Sequence, residues 1–409
     1  MPLFDMQIQP ILAALRRHKL ATFLIAMEIA LACAVLVNAV SLIADRWSAM
    51  GIQSGVDEAS LGSVVVTGFE PQQVNDLNAR MVTGLGAIPG VESVHVISTV
   101  PFGQRGIVSG ISLDRQHYGS VVEFYMGSPG TLQALGLKLI AGALPSMSDY
   151  QPLPGRDYFP AASRVLITRA LAERLWPAQD PLGKEFWMAK WQFRVIGVVA
   201  DLAVSQYTEY GQRGAEWCVF VPTLPGGQLA GTYLIRTRPR DLGRVMVAAR
   251  AAVAEIAPGV VLDEEDSHTI AFLRARFFQT DRAMAGLLAG VIVALLAVTA
   301  FGIVGLASFW VAQRRKHIGV RRALGAKRMD ILRYFQTENF VIVTAGIGVG
   351  VVLAIGVNVV LMKFFEVSRL PTWYLPIGVV VLWLLGQLAV LWPALRAAAV
   401  PPAEATRTV

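Results

Sequence analysis

Two cysteines in 409 residues, Cys33 in an apolar run and Cys218 in a mixed region, exclude a disulfide framework. The five histidines, His18, His95, His117, His268 and His317, show no H-E-x-x-H or other metal-ligand spacing. No G-x-x-x-x-G-K-[ST] phosphate loop is present, and Gly325-Ala-Lys-Arg lacks both the spacing and the hydroxyl. A G-x-S-x-G nucleophile elbow is also missing. The chain is therefore expected to carry no catalytic residues, no metal and no cofactor, and it is not expected to hydrolyse nucleotide by itself. Charge is scarce too, at 16% of residues, whereas a soluble domain holds about a quarter.

Apolar sequence fills the gap. Hydrophobic residues make up 54% of the chain and the mean hydropathy is +0.52, which places it among membrane proteins. The net charge of +7 is unevenly spread. Residues 44–278 hold 20 basic and 22 acidic side chains, leaving 16 basic against 7 acidic elsewhere. The excess thus belongs to the apolar part, where loop orientation accounts for it, and no nucleic-acid partner is needed.

Four runs are long enough to cross a bilayer, which takes about 20 residues. They give transmembrane helices over residues 20–44, 279–312, 337–362 and 373–395. The first run exceeds the h-region of a signal peptide and reads as a retained helix. Residues 1–19 place Leu3, Phe4, Ile8, Ile11, Leu12 and Leu15 at helical spacing ahead of Arg16, Arg17 and Lys19, as in an amphipathic helix on the inner membrane face. Gly286 and Gly290, and likewise Gly346 and Gly350, form small-xxx-small pairs suited to close helix packing. Glu28 and Asn38 are polar groups inside the first span, which therefore face a protein neighbour or a wet cavity. Structural pairing and a substrate or proton site are both open for Glu28.

Orientation follows from residues 313–336, where eight Lys or Arg side chains face one acid, Asp330. Cytoplasmic loops retain such charge, so this segment lies inside the cell. A short turn at 363–372 then faces out, and both termini, including the tail 396–409, are cytoplasmic. Residues 45–278 form one large extracytoplasmic domain between helices one and two. Its β-rich runs at 63–67, 94–98, 165–168, 193–199 and 233–237 alternate with helical stretches at 169–175 and 242–256, giving an α+β fold. Residues 151–160, rich in proline, read as an exposed loop, and the acidic run 263–266 as a solvated face. Residues 266–281 read as a helical stalk leading into the second span.

Within the basic segment, helix formers surround Gly325, and a helix can present Val320, Ala323, Leu324 and Ala326 as a small apolar tip ringed by arginine. Such a tip suits a socket on a soluble partner; a topogenic cluster that also binds anionic lipid headgroups is the other reading.

The run I-G-V-R-R-A-L-G-A-K-R-x-D-I-L-R at 318–333 resembles the loop between the second and third transmembrane helices of the FtsX/MacB permease family. Two further passages, GSPGTLQALGLKLIAG at 127–142 and residues 165–202 with D-P-L-G-K at 180–184, are similar to the periplasmic core domain of MacB-like permeases. The resemblance implies that Arg321, Arg322, Ala323, Leu324, Gly325 and Ala326 form a coupling helix on an ABC ATPase dimer, which binds the ATP and Mg. It further implies a bacterial inner-membrane subunit that pairs with a second permease copy or paralogue. By mechanotransmission the pair would drive export of peptides or antibiotics, in the MacB branch with a periplasmic adaptor and outer-membrane channel. A lipoprotein-release permease, or a transmembrane regulator or sensor without cargo, is the alternative. His317 stands where the family usually has glutamate, and Ala143 where it often has arginine.

Overall fold

The computed structural model describes residues 19–103, 105–114, 118–153, 157–160, 162–206, 214–365 and 369–399. The expected amphipathic helix at 1–19, bar Lys19, and most of the tail 396–409 lie outside them. The chain divides into two compact units, residues 1–48 with 281–409, and residues 49–280.

Apolar sequence makes the first unit. Helix α1 spans Lys19–Met50, and four helices of the chain, this one included, are long and apolar enough to cross a membrane. The strand-bearing unit follows α1 in the chain, with β1 at Leu61–Thr67, α2 at Val74–Gly86, β2 at Val91–Val96, β3 at Ile107–Ser112 and β4 at Tyr118–Gly127. Next come α3 at Thr131–Leu135, β5 at Leu139–Gly142, β6 at Ala162–Thr168, α4 at Arg169–Leu175, β7 at Glu185–Met188 and β8 at Trp191–Val199. Strands β9 at Cys218–Pro222, β10 at Thr232–Thr237 and β11 at Val261–Leu262, with helices α5 at Leu242–Ile256 and α6 at Ile270–Phe277, complete it. The remaining helices are α7 at Gln279–Gln313, α8 at Arg315–Ala323, α9 at Arg328–Phe365 and α10 at Tyr374–Ala399.

In the first unit Gly346 and Gly350 of α9 lie against α1. A Cβ on Gly350 would come 2.5 Å from Cys33 Cβ, and one on Gly346 would come 2.8 Å from the Ala26 carbonyl. This is the close approach that small residues permit. Gly286 and Gly290 of α7, by contrast, have open space beside them. Ile29, Cys33 and Val37 of α1 share a core with Ile303 of α7, Val343 and Ile347 of α9, and Leu382 of α10. Leu287, Val293, Val298 and Phe301 leave α7 largely exposed.

The second unit contains two sheets. One is antiparallel, ordered β11-β1-β10-β2, and α2 and α5 pack on it. The other runs β5-β8-β6-β9-β4-β3-β7, and β7 returns to pair with β8, so the sheet closes on itself like a barrel. Alternation along β4 sends Phe124 into a cluster with Phe159 and Phe193, at ring separations of 4.9 and 5.2 Å, while Glu123 and Tyr125 point to the other face. Between β6 and β8, Asp180 accepts a hydrogen bond from the Leu182 N–H at 3.0 Å, and Gly183, at φ +76°, donates to the Val195 carbonyl. The D-P-L-G-K passage is therefore a turn, with glycine supplying the left-handed backbone.

Three expectations change. Residues 154–156 lie outside the described set, but the 151–160 passage is not simply exposed: Phe159 is fully buried and Gln151 bridges to Thr223. The acidic run is not a solvated face either. Asp266 is buried, with Arg105 Nε 3.0 Å away and a second contact from Arg276, and Arg105 also reaches Asp263; only Glu264 and Glu265 are exposed. Burial of a carboxylate is tolerated because cations meet it. Finally, residues 266–281 are not one helix, since α6 ends at Phe277 and α7 starts at Gln279. Cys33 and Cys218 are both buried free thiols.

Candidate functional site

Arg314 is the single residue between α7 and α8, and helical bonding continues through it: its N–H donates to the Trp310 carbonyl and its own carbonyl accepts from Ile318 N–H, both at 3.0 Å. Helix α8 carries mostly basic side chains, so one apolar residue has to hold it. Ile318 is buried with Ile331 and Phe335 of α9 and with Ala394 and Ala397 of α10.

The helix then ends in a tight reversal. Leu324 N–H still donates to the Val320 carbonyl at 3.0 Å, and Ala326 N–H donates back to the Arg321 carbonyl at 3.1 Å. Gly325 sits at φ +100°, so the glycine at the end of the helix is what lets the chain turn. Asp330 accepts from the Lys327 N–H at 2.9 Å, which caps the start of α9. With both sides of the turn closed by their own hydrogen bonds, Leu324 is left at the tip, 83% exposed. Arg321, Lys327 and Arg328, all exposed, lie close to it in sequence, and the Arg321 guanidinium lies 5.3 Å from the Tyr334 ring centroid. Ala323 is exposed and Ala326 half-buried, while the side chain of Arg322, like that of His317, lies outside the described residues. The segment 313–336, expected as a loop carrying a helix around Gly325, is thus a hairpin of two helices that turns at Gly325, because α8 ends at Ala323 and α9 starts at Arg328 and runs unbroken to Phe365.

Beneath the hairpin lies an ion pair that sequence reasoning passed over. Arg314 Nη1 is 2.9 Å from Oε2 and 3.1 Å from Oε1 of Glu338, whose side chain is 1% exposed. The signal available was a carboxylate at the head of an apolar run.

Glu28 and Asn38 sit elsewhere in the helical unit. Glu28 is half-buried against α7, where a Cβ on Gly302 would come 2.6 Å from its Oε2. Asn38 Nδ2 donates to the Ala34 carbonyl at 2.9 Å and across to the Ala354 carbonyl of α9 at 3.1 Å. Asn38 therefore joins helices, whereas neither residue shares a hydrogen bond or ion pair with the hairpin among the described residues. No group of three His, Cys, Asp or Glu side chains placed to hold a metal occurs among the described residues.

Comparison with known families fits this division. The model for the MacB-like periplasmic core domain matches residues 22–258, more than half of the chain. The chain belongs to the MacB-like family. The model for the FtsX-like permease C-terminal region matches residues 289–402, which include the hairpin. Among curated relatives, the MacB-like chain is 24% identical over 367 residues to the macrolide export ATP-binding/permease protein MacB of Neisseria gonorrhoeae, covering 88% of this chain and 53% of that protein. It is 24% identical to the protein of the same description from Bdellovibrio bacteriovorus, covering 69% and 45%. The pyoverdine export ATP-binding/permease protein PvdT of Pseudomonas syringae is 26% identical, with 69% of this chain and 40% of that protein covered. The MacB-like chain spans about half the length of the curated relatives it matches. The periplasmic region of MacB from Actinobacillus actinomycetemcomitans aligns at a TM-score of 0.34 and 14% identity over 52% of this chain and 92% of that one.

Proposed function

We propose that this chain is the permease part of an ATP-driven export machine, and that the hairpin turn at Arg321–Ala326 receives the force. The observation that carries the reading is Leu324: a large apolar side chain held outward on a turn closed on both sides by hydrogen bonds and flanked in sequence by cations. Sealing that side chain in a socket gains about 2 kcal/mol, and the flanking arginines and lysine suit an acidic rim.

In this reading the hairpin faces the cytoplasm, as its eight basic residues favour, and the strand-bearing unit lies outside the membrane in the periplasm. An ATP-hydrolysing dimer with its own Mg sites seats Arg321, Arg322, Ala323, Leu324, Gly325 and Ala326. A second permease copy or paralogue completes the machine. ATP-driven closure moves α7 and α9 together and so works the outer unit. Relatives described as exporters of macrolide and of pyoverdine support small-molecule or peptide cargo, passed to a periplasmic adaptor and outer-membrane channel.

Purification of the tagged full chain from its host membrane tests the docking. The ATP-binding subunit that accompanies the parent protein is expected to be lost from Leu324→Glu, with membrane insertion unchanged. Retention of that subunit by Leu324→Glu overturns the reading, as does labelling of a Leu324→Cys variant by an impermeant maleimide added from the periplasmic side.

A further inference from the structure

Beside the Arg321 contact with the Tyr334 ring, two kinds of attachment among the described residues join the hairpin to the helices beneath it. One is apolar, through Ile318, and can slide. The other is the Arg314–Glu338 ion pair, which is directional.

Its placement is unusual. Arg314 occupies the single position between α7 and α8, and backbone hydrogen bonds to Trp310 and Ile318 run through it, so the ion pair sits at the junction of the two helices. Glu338 lies on α9, ten residues past its start at Arg328, so α9 carries the hairpin turn and the acceptor on one rigid rod. Both carboxylate oxygens lie within 3.1 Å of one guanidinium nitrogen, Tyr334 Oη is 3.5 Å from that same nitrogen, and the Trp310 ring is 5.8 Å from the guanidinium carbon. The Glu338 side chain is 1% exposed, so withdrawing the guanidinium from it costs more than at a surface pair.

We propose that Arg314 and Glu338 pin the α7–α8 joint to α9, as positioning residues, so that a push on the hairpin turn moves α7 and α9 as one body instead of bending the joint. The source of the push rests on the docking reading above; the pin itself does not.

Spin labels at Phe309→Cys on α7 and Met329→Cys at the start of α9, both exposed positions, report the pin in the full chain reconstituted in nanodiscs. Cys33 and Cys218 are buried and stay unlabelled. The parent is expected to give one narrow distance distribution. In Glu338→Gln it broadens and shifts to longer distance, and Arg314→Lys, whose single ammonium can face both oxygens, keeps it narrow. If Glu338→Gln does not reach the membrane, Arg314→Gln carries the same expectation. A distribution unchanged in whichever of these two variants inserts, with only a lower melting temperature, makes the pair a stabilising contact and overturns the pin. No partner is present in this experiment, so its failure leaves docking standing. Conversely, a broadened distribution in Glu338→Gln supports the pin even where Leu324→Glu retains its partner.

Discussion

The backbone N–H of Ser205 lies 2.6 Å from Oε2 of Glu123, and the Ser205 hydroxyl donates to Oε1 of the same carboxyl group. Glu123 is fully buried on β4, and among the described residues no cation is among the groups that act on it. The same short segment is held twice more, by Tyr125 Oη donating to the Ala203 carbonyl at 2.6 Å and by Cys218 Sγ donating to the Leu202 carbonyl at 3.2 Å. Residues 202–205 are thus strapped to β4 and β9 through three polar side chains. The close fit extends to Gly106, where a Cβ would collide with Glu123 Oε1.

Burial pushes the Glu123 carboxyl up to about 8, against the ordinary 4.5, and the hydrogen bonds from Ser205 and Gln206 only partly offset it. The group is therefore neutral at pH 7. Because the folded value lies above the unfolded one, its contribution to stability is complete below pH 4.5 and is lost as pH rises to about 8. The loss across that window is on the order of 5 kcal/mol. Denaturation of the strand-bearing unit, followed by tryptophan fluorescence from pH 5 to 9, should show a falling midpoint in the parent and a flatter profile in Glu123→Gln. Parallel profiles would show that Glu123 is not the titrating group.

Two glycine pairs of the same spacing make opposite predictions. Gly350→Val places atoms where Cys33 Cβ and the Ala30 carbonyl already are, and overpacking of this kind costs about 1–3 kcal/mol. Gly286→Ala meets nothing within 4 Å among the described residues and gains helix propensity, so its effect should be under about 1 kcal/mol. Melting temperatures of the two variants in detergent check the contrast; equal shifts would mean that α1 and α9 do not pack at Gly350.

This contrast also marks what was legible in the sequence. The four apolar helices could be read directly, because bilayer-length runs of Leu, Val and Ala admit no other structure, and strands β6, β8 and β10 follow their β-branched runs closely. Which glycine pair packs could not be read, since both occur in equally apolar helices and only the neighbouring helix differs. The expected helix ran through Gly325 to Ala326, whereas α8 ends at Ala323 and the chain turns at Gly325, because a glycine at φ +100° leaves the helical backbone. The depth of Glu338 stayed hidden, because its partner Arg314 is 24 residues away and the basic segment offers eight cations to choose from. Asp266 was misread for a similar reason: a run of four acids suggests solvent, and the arginines that bury it come from distant positions 105 and 276.

Arg46 of α1 and Asp281 of α7 supply the last prediction. Arg46 Nη1 is 2.6 Å from Asp281 Oδ1, and the aspartate side chain is 6% exposed whereas the arginine is 36% exposed. The asymmetry matters more than the distance. Arg46→Ala removes the cation and leaves a nearly buried carboxylate, at a cost of about 2 kcal/mol, while Asp281→Asn removes the buried charge and keeps an acceptor for the arginine, which solvent can otherwise serve. Arg46→Ala should therefore melt below Asp281→Asn, and the double variant Arg46→Ala with Asp281→Asn should recover most of the loss. Thermal denaturation of the three proteins in the same detergent decides it. If the double variant is as unstable as the sum of the singles, the two side chains act independently and do not couple α1 to α7.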